Sequence, residues 1–383
     1  MRCILQLSTG SFSRSACKAE EAVKMLAYCM QTLDVEKVIF GWAADVALNQ
    51  EISRMLDQYP VEKYLWLPVF AEIQDREGVR PNKDISDQKK QEINTCKGDA
   101  FDFVCQSSQE NMAYAVEVFD ELTKDCHMDG VFLDRIRYAS AAGGASALYG
   151  CWCPHCQELY EKNGVNTGEI RRMAKEGNAK RFMPLERRQS VYRYEDQEID
   201  ALMKAKRQII TSQVGALCDR FHSRGLKVGA DTFTLPVADF VGQDMDALAK
   251  KVDFVKPMVY IRTDAPAGIP FELHSLGSSI KKRLDELWGG DTGSMEAAVR
   301  QMQELKNRGY IVAPGIDANR IEGICDADTA YVKEFLQKLE VAGIERAVLS
   351  WNIMQMSKET IRELADVCPP HEKETGQHKS EGF

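Results

Sequence analysis

No stretch of this 383-residue chain is apolar for long enough to cross a bilayer. The opening Met1-Arg-Cys-Ile-Leu-Gln-Leu7 meets polar Ser8-Thr9 too soon to serve as the apolar part of a secretory signal. Positive charge is in short supply, with 49 Lys and Arg against 58 Asp and Glu and a net charge of −9. That balance argues against nucleic acid or an anionic membrane as the main partner. No Gly-x-Gly-x-x-Gly follows a predicted strand and no Walker A sequence is present, so a bound nucleotide is not indicated. Histidine is scarce, at six residues, and none stands at a predicted strand end. The twelve cysteines are scattered and lack an export signal, which fits reduced thiols and a cytoplasmic location.

What the chain does contain is a repeated alternation of short apolar runs and amphipathic stretches. Strands are predicted at Ile4–Leu7, Val35–Trp42, Val61–Phe70, Gly130–Leu133, Leu226–Ala230, Asp253–Tyr260, Tyr310–Ile316 and Arg346–Trp351. Between them lie helical patterns such as Lys18–Thr32, where Ala22, Val23, Leu26, Ala27 and Met30 share one face. Others are predicted near Ala47–Leu56, Ser107–Lys124, Glu198–Arg224, Met295–Asn307, Thr329–Val341 and Lys358–Val367. Eight βα units predict an α/β fold, a single (β/α)8 TIM barrel over residues 1–368. Long insertions are expected after strands 3, 4 and 6, that after strand 4 spanning 139–195. Ile73–Asp102 reads as a loop, and the polar tail from Pro369 to Phe383 as disordered.

In such barrels the C-terminal ends of the strands face the active site. Here those ends collect Trp42, Glu72, Asp134, Asp231, Tyr260, Asp317 and Trp351. Carboxylates ringed by aromatic faces are what glycoside hydrolysis requires: a nucleophile or base, a protonated acid, and surfaces for sugar rings. Asp134 carries the most weight, as the carboxylate that abruptly ends Gly130-Val-Phe-Leu133 and precedes Arg135, Arg137 and Tyr138. The plainer reading is an ion pair with a neighbouring arginine. Asp231 has the same placement and is the acid/base candidate. Arg137, Tyr138, Tyr260, Asp317, Trp42, Glu72, Glu272 and Trp351 are the candidates for holding substrate. Asp317 could equally cap a turn, and the two tryptophans could simply close the barrel end.

Asp129-Gly-Val-Phe-Leu-Asp-Arg-Ile-Arg-Tyr138, Cys151-Trp-Cys-Pro-His-Cys156 and Val252-Asp-Phe-Val-Lys-Pro-Met-Val-Tyr260 together resemble the uncharacterised glycoside-hydrolase-like TIM-barrel proteins. Those are distantly similar to the α-amylase and α-galactosidase superfamilies. The resemblance spans roughly residues 1–367 and implies a sugar-related site with Asp134 as nucleophile. The chain departs from the α-amylase pattern at Phe132, where an arginine is expected, and at Asp231, where a glutamate is expected.

Cys151, Cys153 and Cys156 place three thiols within six residues, a spacing that suits a structural zinc ion. Cys96, Cys105, Cys126 and His127 are the candidates for a fourth ligand. A redox dithiol at Cys153-Pro-His-Cys156 and plain packing thiols are the alternatives. The arginine-rich segment from Arg171 to Arg193 reads as a solvated helix face, or else as an attractor for an anionic substrate.

These readings converge on an intracellular glycosidase acting on a small oligosaccharide or glycoside, with no cofactor required for chemistry. A homo-oligomer stays open. The alternatives are a metal-dependent TIM-barrel hydrolase or lyase, which the absence of a His-x-His pair after the first strand weakens, and a non-catalytic carbohydrate-binding barrel.

Overall fold

The apolar runs become eight parallel strands that close on themselves. They are β1 Arg2–Ser8, β2 Val35–Gly41, β3 Glu62–Pro68, β4 Gly130–Asp134, β5 Lys227–Thr232, β6 Phe254–Val259, β7 Gly315–Asp317 and β8 Arg346–Ser350. Each strand pairs with its sequence neighbours, and β8 returns to β1. The computed structural model describes residues 1–370 apart from 12–13, 16, 73–75, 87–90, 95–98 and 178. The tail after residue 370 and Cys96 therefore lie outside the described residues.

The (β/α)8 barrel expected from the sequence is present, with its long excursions after β3, β4 and β6. The seventh strand is shorter than predicted, because Pro314 has no N–H to give the ladder. Only an isolated bridge from Val312 to Val255 precedes it. Ile73–Asp102 is not featureless: Gln91–Asn94 pairs antiparallel with Asp99–Asp102. The arginine-rich segment is a short helix, Thr167–Lys175, followed by the hairpin of Pro184–Arg188 and Val191–Tyr194. Its arginines face acidic partners: Arg172 holds Glu169 and Glu176, Arg181 holds Glu176 and Asp196, and Arg187 holds Glu304. These pairs serve local structure: Arg172 lies on an exposed helix face, as one of the two readings expected, and Arg181 and Arg187 tie the following turn and hairpin to acidic neighbours.

The first outer helix follows its predicted apolar face in part, with Val23, Ala27 and Met30 half-buried. Ala19–Thr32 buries Ala22, Leu26 and Cys29. The long helix Gln197–His222 starts where Asp196 accepts hydrogen bonds from the N–H groups of Glu198 and Ile199. No helix among the described residues is long and apolar enough to cross a membrane.

The barrel interior is layered, and the layering positions the site. At the N-terminal end Lys37 lies against Glu36 and Glu62, which also receives Lys227. Above this charged floor come Ile4, Ile39, Tyr64, Phe132, Phe254, Ala313 and Val348. Gly229 makes room for these rings: a Cβ there would stand 2.3 Å from Phe254 Cζ. The next layer turns polar, with Gln6, Asp134, Asp231 and Lys256 on inward-facing positions beside Trp66. Gly315 in β7 admits the Lys256 stem, since a Cβ would meet Lys256 Cε at 2.3 Å.

Candidate active site

The register of β4 and β5 pairs Leu133 with Ala230, so the next residues, Asp134 and Asp231, stand level on neighbouring strands. Both share the inward parity of Phe132 and Gly229 and so project into the C-terminal end of the barrel. Each is almost wholly buried. Asp134 Oδ2 accepts a hydrogen bond from Trp66 Nε1 at 2.9 Å, and Oδ1 accepts from the Arg135 N–H. Asp231 Oδ2 accepts from Lys256 Nζ at 2.9 Å, while its Oδ1 is buried without a partner among the described residues.

Their environments separate the two carboxyls. Burial pushes the Asp231 pKa up to about 7, and the negative charge of Asp134 pushes the same way. The ammonium of Lys256 and the guanidinium of Arg135 pull in the opposite direction and lose to burial. A carboxyl poised near neutrality beside a second carboxyl held by N–H donors is the arrangement that divides acid from base or nucleophile.

Lys256 is fully buried and also donates to the Tyr260 hydroxyl at 2.7 Å. Burial, followed by the negative charge of Asp231, raises the Tyr260 pKa well above its ordinary value, so the phenol stays protonated. Replacing Lys256 by Met removes a cation that holds Asp231 down. The Asp231 pKa is then expected to climb by on the order of one unit, read by carboxyl-carbon NMR titration of the folded protein. An unmoved titration would show that Lys256 does not set it.

Aromatic side chains enclose this polar layer. Trp42 meets Trp66 edge-on at 5.0 Å between ring centroids, and Tyr260 lies 5.7 Å from Trp351. The Trp351 ring packs against the inner barrel layer that contains Trp42, and the backbone N–H of Trp351 donates to Asn319 Oδ1 at 2.8 Å. The chain enters the left-handed region at Trp42 (φ 86°), Glu72 (φ 67°) and Arg135 (φ 55°). Trp42 and Arg135 directly follow β2 and β4, so backbone strain is placed at two strand ends where the fold aims its side chains.

Four of the residues expected to hold substrate are committed elsewhere. Arg137 is buried between the rings of Phe103 and Phe233, 5.2 and 4.6 Å from their centroids, and donates to the Tyr138 carbonyl. Tyr138 points behind the loop, where its ring packs near Gly150, Gly242 and the Lys206 ammonium. Asp317 spends both oxygens on structure, accepting from Arg262 N at 2.6 Å, Thr263 Oγ1 at 3.1 Å and Tyr331 Oη at 2.5 Å. Glu272 is buried in the helix Ile269–Leu276 and accepts from the Ala267 N–H, which fastens the turn after β6. Glu72 is half-buried beyond β3, its N–H donating to the Asp102 carbonyl.

Arg135, not Arg137, reaches the mouth. The left-handed turn at Arg135 ends the strand alternation, and its guanidinium lies 5.7 Å from the Trp42 ring centroid and close enough to act on Asp231. Trp66, Lys256 and Gln6 were also missed by sequence reasoning. A lone lysine inside Phe254-Val-Lys-Pro-Met-Val259 and a lone glutamine inside Ile4-Leu-Gln-Leu7 were the available signals. Gln6 is fully buried with neither amide atom partnered among the described residues. An unpaired buried amide in the polar layer is an unusual expense for a core.

A second cluster lies behind the site. Cys105, Cys151, Cys153 and Cys156 are all buried, with their four sulfurs within 4.8 Å of one another. It is the group among the described residues able to hold a metal ion through three or more His, Cys, Asp or Glu ligands.

No protein-family model and no curated protein matches the chain. Solved structures do match in fold. The glycoside hydrolase domain of PgaB (BpsB) from Bordetella bronchiseptica superposes with a TM-score of 0.62 at 13% identity, covering 95% of this chain and 98% of that one. The alpha-L-fucosidase isoenzyme 2 from Paenibacillus thiaminolyticus gives 0.58 at 12% identity, covering 96% of this chain. The chain spans 48% of that fucosidase's length. The likeness is one of fold.

Proposed function

We propose that the protein is a glycoside hydrolase that cleaves a small oligosaccharide or glycoside in the mouth of the barrel. The observation that carries this reading is the pair of level, inward-facing carboxyls at the ends of β4 and β5, of which Asp231 is raised to about 7. The two fold neighbours named above, a glycoside hydrolase domain and a fucosidase, support it. The described cysteines, all unpaired, suit a reducing compartment such as the cytoplasm.

In this reading protonated Asp231 gives its proton to the glycosidic oxygen as the bond from C1 to that oxygen breaks. The ionised Asp134 carboxylate attacks C1 and forms a glycosyl ester, and the aglycone leaves as the alcohol. Asp231, now a carboxylate, takes a proton from water, whose oxygen attacks C1 and releases Asp134. One water is consumed and the anomeric configuration is retained. Trp66 and the Arg135 N–H fix the nucleophile, and Lys256 orients Asp231. Trp42, Trp351 and Tyr260 offer surfaces for sugar rings, and Glu72 stands at the rim.

Lys256 also weakens the reading as a metal-dependent hydrolase or lyase, because its ammonium already neutralises Asp231 through Oδ2. Incubation with a set of oligosaccharides should release reducing ends, and proton NMR should show the first-formed anomer with the substrate's configuration. Inverted product would overturn the nucleophilic role of Asp134. Saturable sugar binding without any hydrolysis would favour the non-catalytic binding barrel.

A further inference from the structure

Three of the clustered thiols come from the loop after β4 and one from far upstream. Cys151, Cys153 and Cys156 flank the start of the helix Pro154–Lys162, while Cys105 precedes the helix Gln109–Leu122. Cys105 Sγ lies 3.6 Å from Cys153 Sγ and 3.5 Å from Cys156 Sγ. A disulfide would need about 2.0 Å, so these sulfurs are not bonded. Four sulfurs about 2.3 Å from one zinc ion stand about 3.8 Å apart at the corners of a tetrahedron. The observed separations are close to that figure.

We propose that Cys105, Cys151, Cys153 and Cys156 bind one structural zinc ion. The donor set is all sulfur and leaves no open ligand position, which suits a structural ion better than a catalytic one. Four thiolates and a zinc ion carry two net negative charges, and the surroundings answer them. Cys153 is the N-cap of a helix with Pro154 in its first turn, so the positive end of the helix points at the cluster. Arg80 and Lys83 border the cavity that Cys153 lines.

The ion would tie the loop after β3 to the loop after β4. Phe103, two residues before Cys105, packs on the Arg137 guanidinium, and Gln106 Nε2 donates to the Arg137 carbonyl at 3.4 Å. Arg137 follows Asp134 by three residues. Zinc at this point therefore clamps the segment that leaves β4, without touching substrate. Ser107 completes the surroundings, its hydroxyl 3.2 Å from Cys105 Sγ and 3.1 Å from Cys156 Sγ.

The test is elemental analysis of the full chain purified under reducing conditions, with thiols counted in parallel. One zinc per chain is expected, retained through dialysis against a weak chelator. A strong chelator should remove it and lower Tm by on the order of 10 °C. Cys105→Ser should bring zinc below about one-tenth per chain by removing a ligand, whereas Cys126→Ser, altering a half-buried thiol outside the cluster, should leave it at one. Should Cys105→Ser fail to fold, the wild-type content decides, with cobalt replacement expected to give the visible spectrum of a tetrahedral thiolate site. Metal-free wild type with all four thiols reduced, a disulfide among them, or iron in place of zinc would each overturn the proposal.

Discussion

Asp134→Asn is expected to lower kcat on any accepted glycoside by roughly 10⁴-fold while leaving the protein folded. The loss is large because the amide cannot attack C1 or carry the negative charge that meets the developing cation. The fold should survive because the carboxylate makes two local hydrogen bonds, to Trp66 Nε1 and the Arg135 N–H, and the amide oxygen can keep one. Losing one such bond costs about 1 kcal/mol, or a few degrees in Tm. Initial rates with thermal unfolding run beside them check both halves. Retention of more than a tenth of wild-type kcat would remove Asp134 from the chemistry.

The second large effect belongs to Asp231. As general acid it works only when protonated, and its pKa is raised to about 7. Activity should therefore fall as pH rises through that value, and this basic limb should vanish in Asp231→Asn. The variant should lose about 10²- to 10⁴-fold in kcat/KM on substrates with poor leaving groups. A dinitrophenyl glycoside, whose leaving group needs little protonation, should be spared most of the loss in the bond-breaking step. The amide oxygen can still accept from Lys256, so the comparison isolates the proton. An equal loss on both substrate types, or an unchanged basic limb, would mean that the acid is another group.

Barrel architecture was readable because each strand and helix carried its own local pattern. Gly130-Val-Phe-Leu133 reads as a buried strand on its own, and Asp134 stands out as the charge that ends it. Asp231 was readable by the same logic. The residues that tune the pair were not, since they depend on neighbours distant in sequence. Lys256 becomes a partner of Asp231 only once β5 and β6 are adjacent and Gly315 leaves its stem room. Arg135 lies by the Trp42 ring, and Arg137, the expected substrate-holding arginine, is buried behind it, because one left-handed residue reset the alternation. Asp317 resembled a site carboxylate by position, yet the loop after β6 and Tyr331 fold over it and use it up. The fourth thiol was among four candidates at the sequence level, and packing brought Cys105 to the other three.

The measurement that bears most directly on the account is turnover of a panel of nitrophenyl α- and β-glycosides by the wild type and Asp134→Asn. Release of nitrophenol from at least one sugar by the wild type, and its loss in the variant, is the predicted result. Equal turnover by the two proteins, or saturable sugar binding with no release from any member, would contradict it.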